Sequence, residues 1–197
     1  ALLAGESDAR PWEALTLASG EWTLWVLLAA LAVTPLRRVG HWPRLTLVRR
    51  RVGVGAFCYL CLHLFAFVAD KSFDLGLVAG EILQRTYLVV GFAALLILLA
   101  LAITSTDAML RRLGGRRWRA LHRLVYLAAA LGVLHFFLQS KLELARPSLF
   151  AGLLLWLLAY RLAHWAAEKG GRRGLGVLAL LALALFAGLA TALLEAG

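Results

Sequence analysis

Cysteine is nearly absent. The 197 residues hold two, Cys58 and Cys61, three positions apart inside one apolar run. Two cysteines supply no disulfide framework and say nothing about the redox compartment. Acidic residues are scarce as well, 11 against 21 Lys and Arg, and none falls inside the long apolar runs. A charge-coupled transporter needs acidic or paired charges at mid-membrane, so that class ranks last. No βαβ unit with a glycine fingerprint is visible, so on any redox reading a separate electron donor is expected. The apolar runs do not alternate with polar residues, which excludes a transmembrane β-barrel.

What is present is hydrophobic: 62% of the residues are apolar and mean hydropathy is +0.80. Only an integral membrane protein uses that much uninterrupted apolar sequence. The sequence predicts an all-α integral membrane protein, a bundle of about six transmembrane helices forming a single domain over 1–197. A net charge of +10 alone would suit nucleic acid, but the arginines flank the apolar runs, so the partner they imply is the lipid bilayer.

In chain order, Ala1–Ala4 is an apolar stub with the composition of a helix end, and Glu6–Glu21 (within an outer segment 1–21) reads as acidic and exposed. Spans are predicted at roughly Trp22–Leu36, which is short for a span and so is expected to begin a few residues earlier, Val52–Ala69, Thr86–Ile103, Arg119–Lys141, Ser148–Ala166 and, as an additional C-terminal helix over 175–195, Leu175–Leu194. An amphipathic piece leads up to Glu81 and Arg85, and Thr104-Ser105-Thr106-Asp107 has the composition of a helix N-cap. One set of loops carries 16 of the 21 basic residues against only Asp107 and Glu168. The positive-inside rule predicts that this side is cytoplasmic and the acidic side periplasmic or extracellular.

The stretch Arg119–Lys141 carries the chemistry. Its two histidines, His122 and His135, are thirteen residues apart, about 20 Å along a helix. A histidine in a span marks a functional site by default. His63 lies about 18 Å in from Arg51, and His135 about the same from Arg123. Two neutral imidazoles at one depth on neighbouring helices are predicted to ligate a b-type haem held between helices. The plainer alternative is that each merely hydrogen-bonds a neighbouring helix. Gly132, one turn before His135, is predicted to let a flat ligand approach the backbone. His122 reads equally as an interfacial basic helix end or as part of a second haem or flavin site, with His164 as its candidate partner. Arg116, Arg117, Arg119 and Arg123 suit propionates, a flavin phosphate or the acidic face of a reductase, and Trp118 suits a flat ring. The positive-inside bias accounts for the same arginines. On the other side Arg85 and Arg146 are candidates for propionates. Cys58-Tyr59-Leu60-Cys61-Leu62-His63 approaches a c-type haem motif but fails it, because Leu62 separates the second cysteine from the histidine.

Four stretches, TPLRR at Thr34–Arg38, LHLFAFVAD at Leu62–Asp70, RTYLVVGF at Arg85–Phe92 and TSTDAMLRRLGGRRWRALHRLVYLAAALGVLHF at Thr104–Phe136, closely resemble one family. It is the haem-binding membrane subunit of the bacterial periplasmic methionine sulfoxide reductase system, within the ferric-reductase-like transmembrane group. The resemblance covers roughly Asp8–Ala166. It implies an electron-transfer subunit that passes electrons from a cytosolic flavin reductase or the quinone pool to a periplasmic molybdenum-containing subunit, where the sulfoxide is reduced and oxidised proteins are repaired. It implies haem b, one group with two as the alternative, with FMN and quinone as further cofactors. Matched motif by motif, its haem-associated histidines fall at His63, His122 and His135. The family also has a span before the acidic segment, to which only Ala1–Ala4 could belong, and the run Leu175–Leu194 is additional to its pattern. The competing function is a self-contained transmembrane ferric or quinone reductase of cytochrome b type, which would need a substrate pocket on the acidic face.

Overall fold

Thr86–Ile103 is eighteen residues without a charge, about 27 Å of helix against a hydrocarbon layer of about 30 Å. In the computed structural model it is helical from end to end. The structure describes residues 10–42, 44–140 and 143–169. The elements are α1 (Pro11–Val39), α2 (Leu45–Asp70), α3 (Leu75–Gln84), α4 (Thr86–Ile103), α5 (Asp107–Leu113), α6 (Gly115–Leu121), a 3-10 turn (His122–Leu124), α7 (Val125–Gln139) and α8 (Ala145–Lys169). Among the described residues there is no strand, and five helical stretches are long and apolar enough to cross a membrane. The expected sixth, Leu175–Leu194, lies outside the described residues, as do Ala1–Ala4.

The first span departs from expectation. Pro11 sits in the first turn, where its missing N–H costs nothing, and the helix runs from there without a break. Thr16, Ser19 and Thr23 turn their hydroxyls back onto the carbonyls of Trp12, Leu15 and Ser19 at 2.8, 2.6 and 2.8 Å. Such back-bonding hides polar side chains inside a helix. Ser19 and Thr23 are only 2% and 6% exposed, so the expected exposed segment Glu6–Glu21 is, from Pro11 onward, a partly buried helical turn of the bundle. Polar composition was a poor guide because each hydroxyl finds its partner within its own helix.

α1 is the axis of the bundle: 44% of its span is buried, against 17–22% for the other four. Leu24, Leu27, Leu28 and Leu31 meet Leu98 and Leu101 of α4, Ala128, Ala129 and Val133 of α7, and Phe150, Leu154 and Leu157 of α8. Ala56, Ala128 and Ala129 are at most 1% exposed, small residues that let backbones approach where lipid removes the hydrophobic drive. The most closely packed pairs are α1 with α2 and α4 with α7.

Pro35 lies inside α1 and cannot donate to the carbonyl of Leu31. Arg161 of α8 takes that carbonyl instead, Nη2 to oxygen at 2.7 Å, and donates from Nη1 to the hydroxyl of Tyr126. The N-cap expected in Thr104–Asp107 is Thr106, whose hydroxyl accepts from Met109 N at 3.2 Å. Gly114, at φ +74°, makes the corner between α5 and α6, a backbone conformation that favours glycine.

Candidate metal centre and adjoining cavity

His63 on α2 and His135 on α7 face each other with ring centres 6.3 Å apart and planes at 88°. Each ring is tied through Nδ1 to a backbone carbonyl: His63 to Thr16 at 2.8 Å and His135 to Tyr87 at 2.7 Å. A carbonyl only accepts, so both Nδ1 atoms carry a proton, and in the neutral ring Nε2 keeps its lone pair. Among the described residues no hydrogen bond engages either Nε2. An imidazole nitrogen binds a metal at about 2 Å and lies about 1 Å from its ring centre, so two rings facing one ion end-on have centres about 6 Å apart. The observed centre-to-centre distance of 6.3 Å equals the distance such an arrangement has. Among the described residues no group of three or more His, Cys, Asp or Glu is assembled for a metal.

The rings need room beside the backbone, and two glycines supply it. A Cβ on Gly20 of α1 would lie 2.9 Å from His63 Nδ1, and one on Gly91 of α4 would lie 2.7 Å from His135 Nδ1. Gly132, the glycine singled out from sequence, instead opens toward α1: a Cβ there would meet Leu24 Cδ2 at 3.1 Å.

One level toward the basic side lies a cavity of about 380 Å³, lined by residues that include Arg49, Arg50, Ser105, Trp118, His122 and Tyr126. Arg50 precedes His63 by thirteen residues, and His122 precedes His135 by the same interval. The same two chain segments thus present a second level, with arginines and one imidazole in place of two imidazoles. His122 is engaged at both nitrogens, Nδ1 with the Trp118 carbonyl at 3.1 Å and Nε2 with Ser105 Oγ at 3.3 Å. Trp118 stacks on its ring with centres 3.8 Å apart and donates from Nε1 to the Thr104 carbonyl at 2.8 Å.

Of the arginines proposed from sequence, Arg119 and Arg123 line this cavity. Arg116 and Arg117 are exposed on α6. His164 stacks on Tyr160 within α8, and among the described residues the cavity lining includes none from α8. Arg85 donates to Glu81 at 3.0 Å and to the Tyr87 hydroxyl at 3.4 Å, and Arg146 to Glu21 at 2.7 Å. Cys58 and Cys61 are free thiols on the exposed face of α2. Arg50 also donates to Asp107, and that contact and its charge hold the Asp107 carboxyl below the ordinary range. Sequence reasoning missed Thr16, Gly20, Gly91, Arg49, Arg50 and Tyr126. The one sequence signal was the equal spacing of Arg50–His63 and His122–His135.

Comparison with known proteins gives this arrangement its class. Residues 17–133 match the model of the ferric reductase like transmembrane component. Curated relatives described as the haem-binding subunit MsrQ of protein-methionine-sulfoxide reductase include one from Rhodospirillum rubrum, 54% identical over 80% of this chain and 76% of its own length. Others come from Herminiimonas arsenicoxydans, 42% identical over 85% and 78%, and Ralstonia nicotianae, 42% identical over 84% and 77%. The chain belongs to the family of these methionine sulfoxide reductase haem-binding subunits, within the ferric-reductase-like transmembrane group. It is a multi-pass membrane protein with the architecture of an electron-transfer subunit. No solved structure matches it.

Proposed function

We propose that this chain carries electrons across the bacterial inner membrane through one b-type haem whose iron lies between His63 and His135. The observation that supports this is the pair itself: two neutral imidazoles, each anchored at Nδ1, facing at the spacing one shared metal requires. Haem supplies one-electron chemistry there, since its iron cycles between two oxidation states without leaving its ligands. The protein's part is to hold both imidazoles neutral, orient them and keep them from water.

The basic level is the entry. With Arg49, Arg50, Arg119 and Arg123 around a cavity that Trp118 and His122 also line, it suits a flat, anionic or quinone-like group. FMN, or a quinone of the membrane pool, is the intermediate carrier we assign to it, fed by a cytosolic flavin reductase or by quinol. The acidic face, with Arg85 and Arg146 set among carboxylates, faces the periplasm. Electrons leave there for a periplasmic molybdenum-containing subunit that reduces methionine sulfoxide in oxidised proteins; the relatives' names support only the link to a protein-methionine-sulfoxide reductase.

The test is a reduced-minus-oxidised spectrum of the purified protein, with pyridine haemochrome and released flavin measured per chain. About one haem per chain supports the reading. Two haems would make His122 a ligand and the cavity a second haem site. No haem in folded protein would overturn the electron-carrier function.

A further inference from the structure

The two histidines are held by one device used twice. On α1 the carbonyl of Thr16 accepts from His63 Nδ1, and Gly20, four residues on, lies against the ring. On α4 the carbonyl of Tyr87 accepts from His135 Nδ1, and Gly91, again four residues on, lies against the ring. In a helix the carbonyl of residue i already accepts from the N–H of residue i+4. An imidazole that uses the second lone pair must come in over residue i+4, where a side chain would block it.

The distances show how little room there is. A Cβ on Gly20 would stand 2.9 and 3.0 Å from Nδ1 and Cε1 of His63. A Cβ on Gly91 would stand 2.7, 2.9 and 3.1 Å from Nδ1, Cε1 and Cγ of His135. Among the described residues no other glycine meets an imidazole, and Gly132 meets Leu24 Cδ2 at 3.1 Å. Gly53 and Gly152 meet nothing within 4 Å, and Gly55 meets only Val26 at 3.9 Å.

We propose that Gly20 and Gly91 are positioning residues. Each opens one backbone carbonyl to one histidine, fixes that ring as the Nδ1–H tautomer, and so sets the redox potential of the group the two rings share. The tautomer claim stands on the contacts alone; the potential rests on the haem reading above. A ring that donates its Nδ1–H to a carbonyl is the more basic ligand. A more basic ligand favours the oxidised metal, so both carbonyl bonds lower the potential.

The experiment uses the full-length chain in lipid nanodiscs. Nitrogen-15 NMR of labelled histidine, on protein expressed with haem withheld, reads the tautomer of each ring. Redox titration of the haem-loaded protein reads the midpoint potential. Wild-type protein is expected to show His63 and His135 as Nδ1–H tautomers. Gly91→Ala is expected to remove that signature from His135 and shift the potential upward, Gly20→Ala to do the same through His63, and Gly152→Ala to change neither. Nδ1–H signatures and a potential unchanged in both alanine variants would overturn the proposal. So would a wild-type spectrum with Nε2–H tautomers, a result that stands even if the variants fail to fold. If no variant, wild type included, takes up haem, the haem reading falls while the tautomer result still decides the role of the glycines.

Discussion

Arg161 on α8 reaches the carbonyl of Leu31 on α1 at 2.7 Å, at the one place in that helix where Pro35 withholds the usual N–H. The guanidinium also lies over the Tyr126 ring, 4.7 Å from its centre, and so joins α1, α7 and α8 at the level of the basic cavity. A buried carbonyl left unpaired costs about 1–3 kcal/mol.

Arg161→Leu should therefore destabilise the protein by about 1–3 kcal/mol. In a Pro35→Ala background the helix supplies its own N–H to Leu31, so the same substitution should cost less. Thermal unfolding of the four proteins in one detergent measures the coupling. Equal losses in both backgrounds would show that the Leu31 contact is not what Arg161 contributes.

His63→Ala and His135→Ala should each abolish the b-type spectrum, because the facing pair loses one of its two nitrogens. Folding is checked by size-exclusion chromatography. A full spectrum in either variant would refute the ligand assignment.

His122→Ala should leave that spectrum in place, since the His122 nitrogens are engaged by Trp118 and Ser105 rather than turned to the pair. Stopped-flow reduction by a flavin reductase should be slower. Loss of all haem would instead place His122 in the structural shell of a single site.

The bond to Arg50 lowers the Asp107 pKa below the ordinary 3.8. Its contribution is thus present above the ordinary value and lost as pH falls through the lower, folded one. Across pH 5–8 the tether between the start of α2 and α5 should hold unchanged. Asp107→Asn should raise tryptic cleavage at Arg111 and Arg112 equally over that range. A pH-dependent difference there would assign the protection to another group.

Orientation is checked by alkaline phosphatase fusions, which are active only in the periplasm. Fusion after Phe73 should be active and fusion after Gly114 inactive, as the basic loops require. The reverse pattern would invert the direction of electron flow.

Much of this architecture is legible in the chain. The span around Thr86–Ile103 is legible because hydropathy is a local property, and an uncharged run of that length has one solution in lipid. His63 and His135 were paired from depth alone, since helical rise converts residue number into distance. The start of α1 lies further back than the few residues before Trp22 that the short apolar run implies, because the bonds that hide Ser19 and Thr23 are made to their own helix and leave no mark on composition.

The sequence by itself determined the class: a helical membrane bundle, the sidedness of its charge, and the level of its histidines. The tertiary structure alone decided which backbone serves which side chain. Thr16 and Gly20 belong to His63, Tyr87 and Gly91 to His135, and Leu31 to Arg161. Each of these links crosses from one helix to another, and periodicity within one helix carries no record of its neighbour's register.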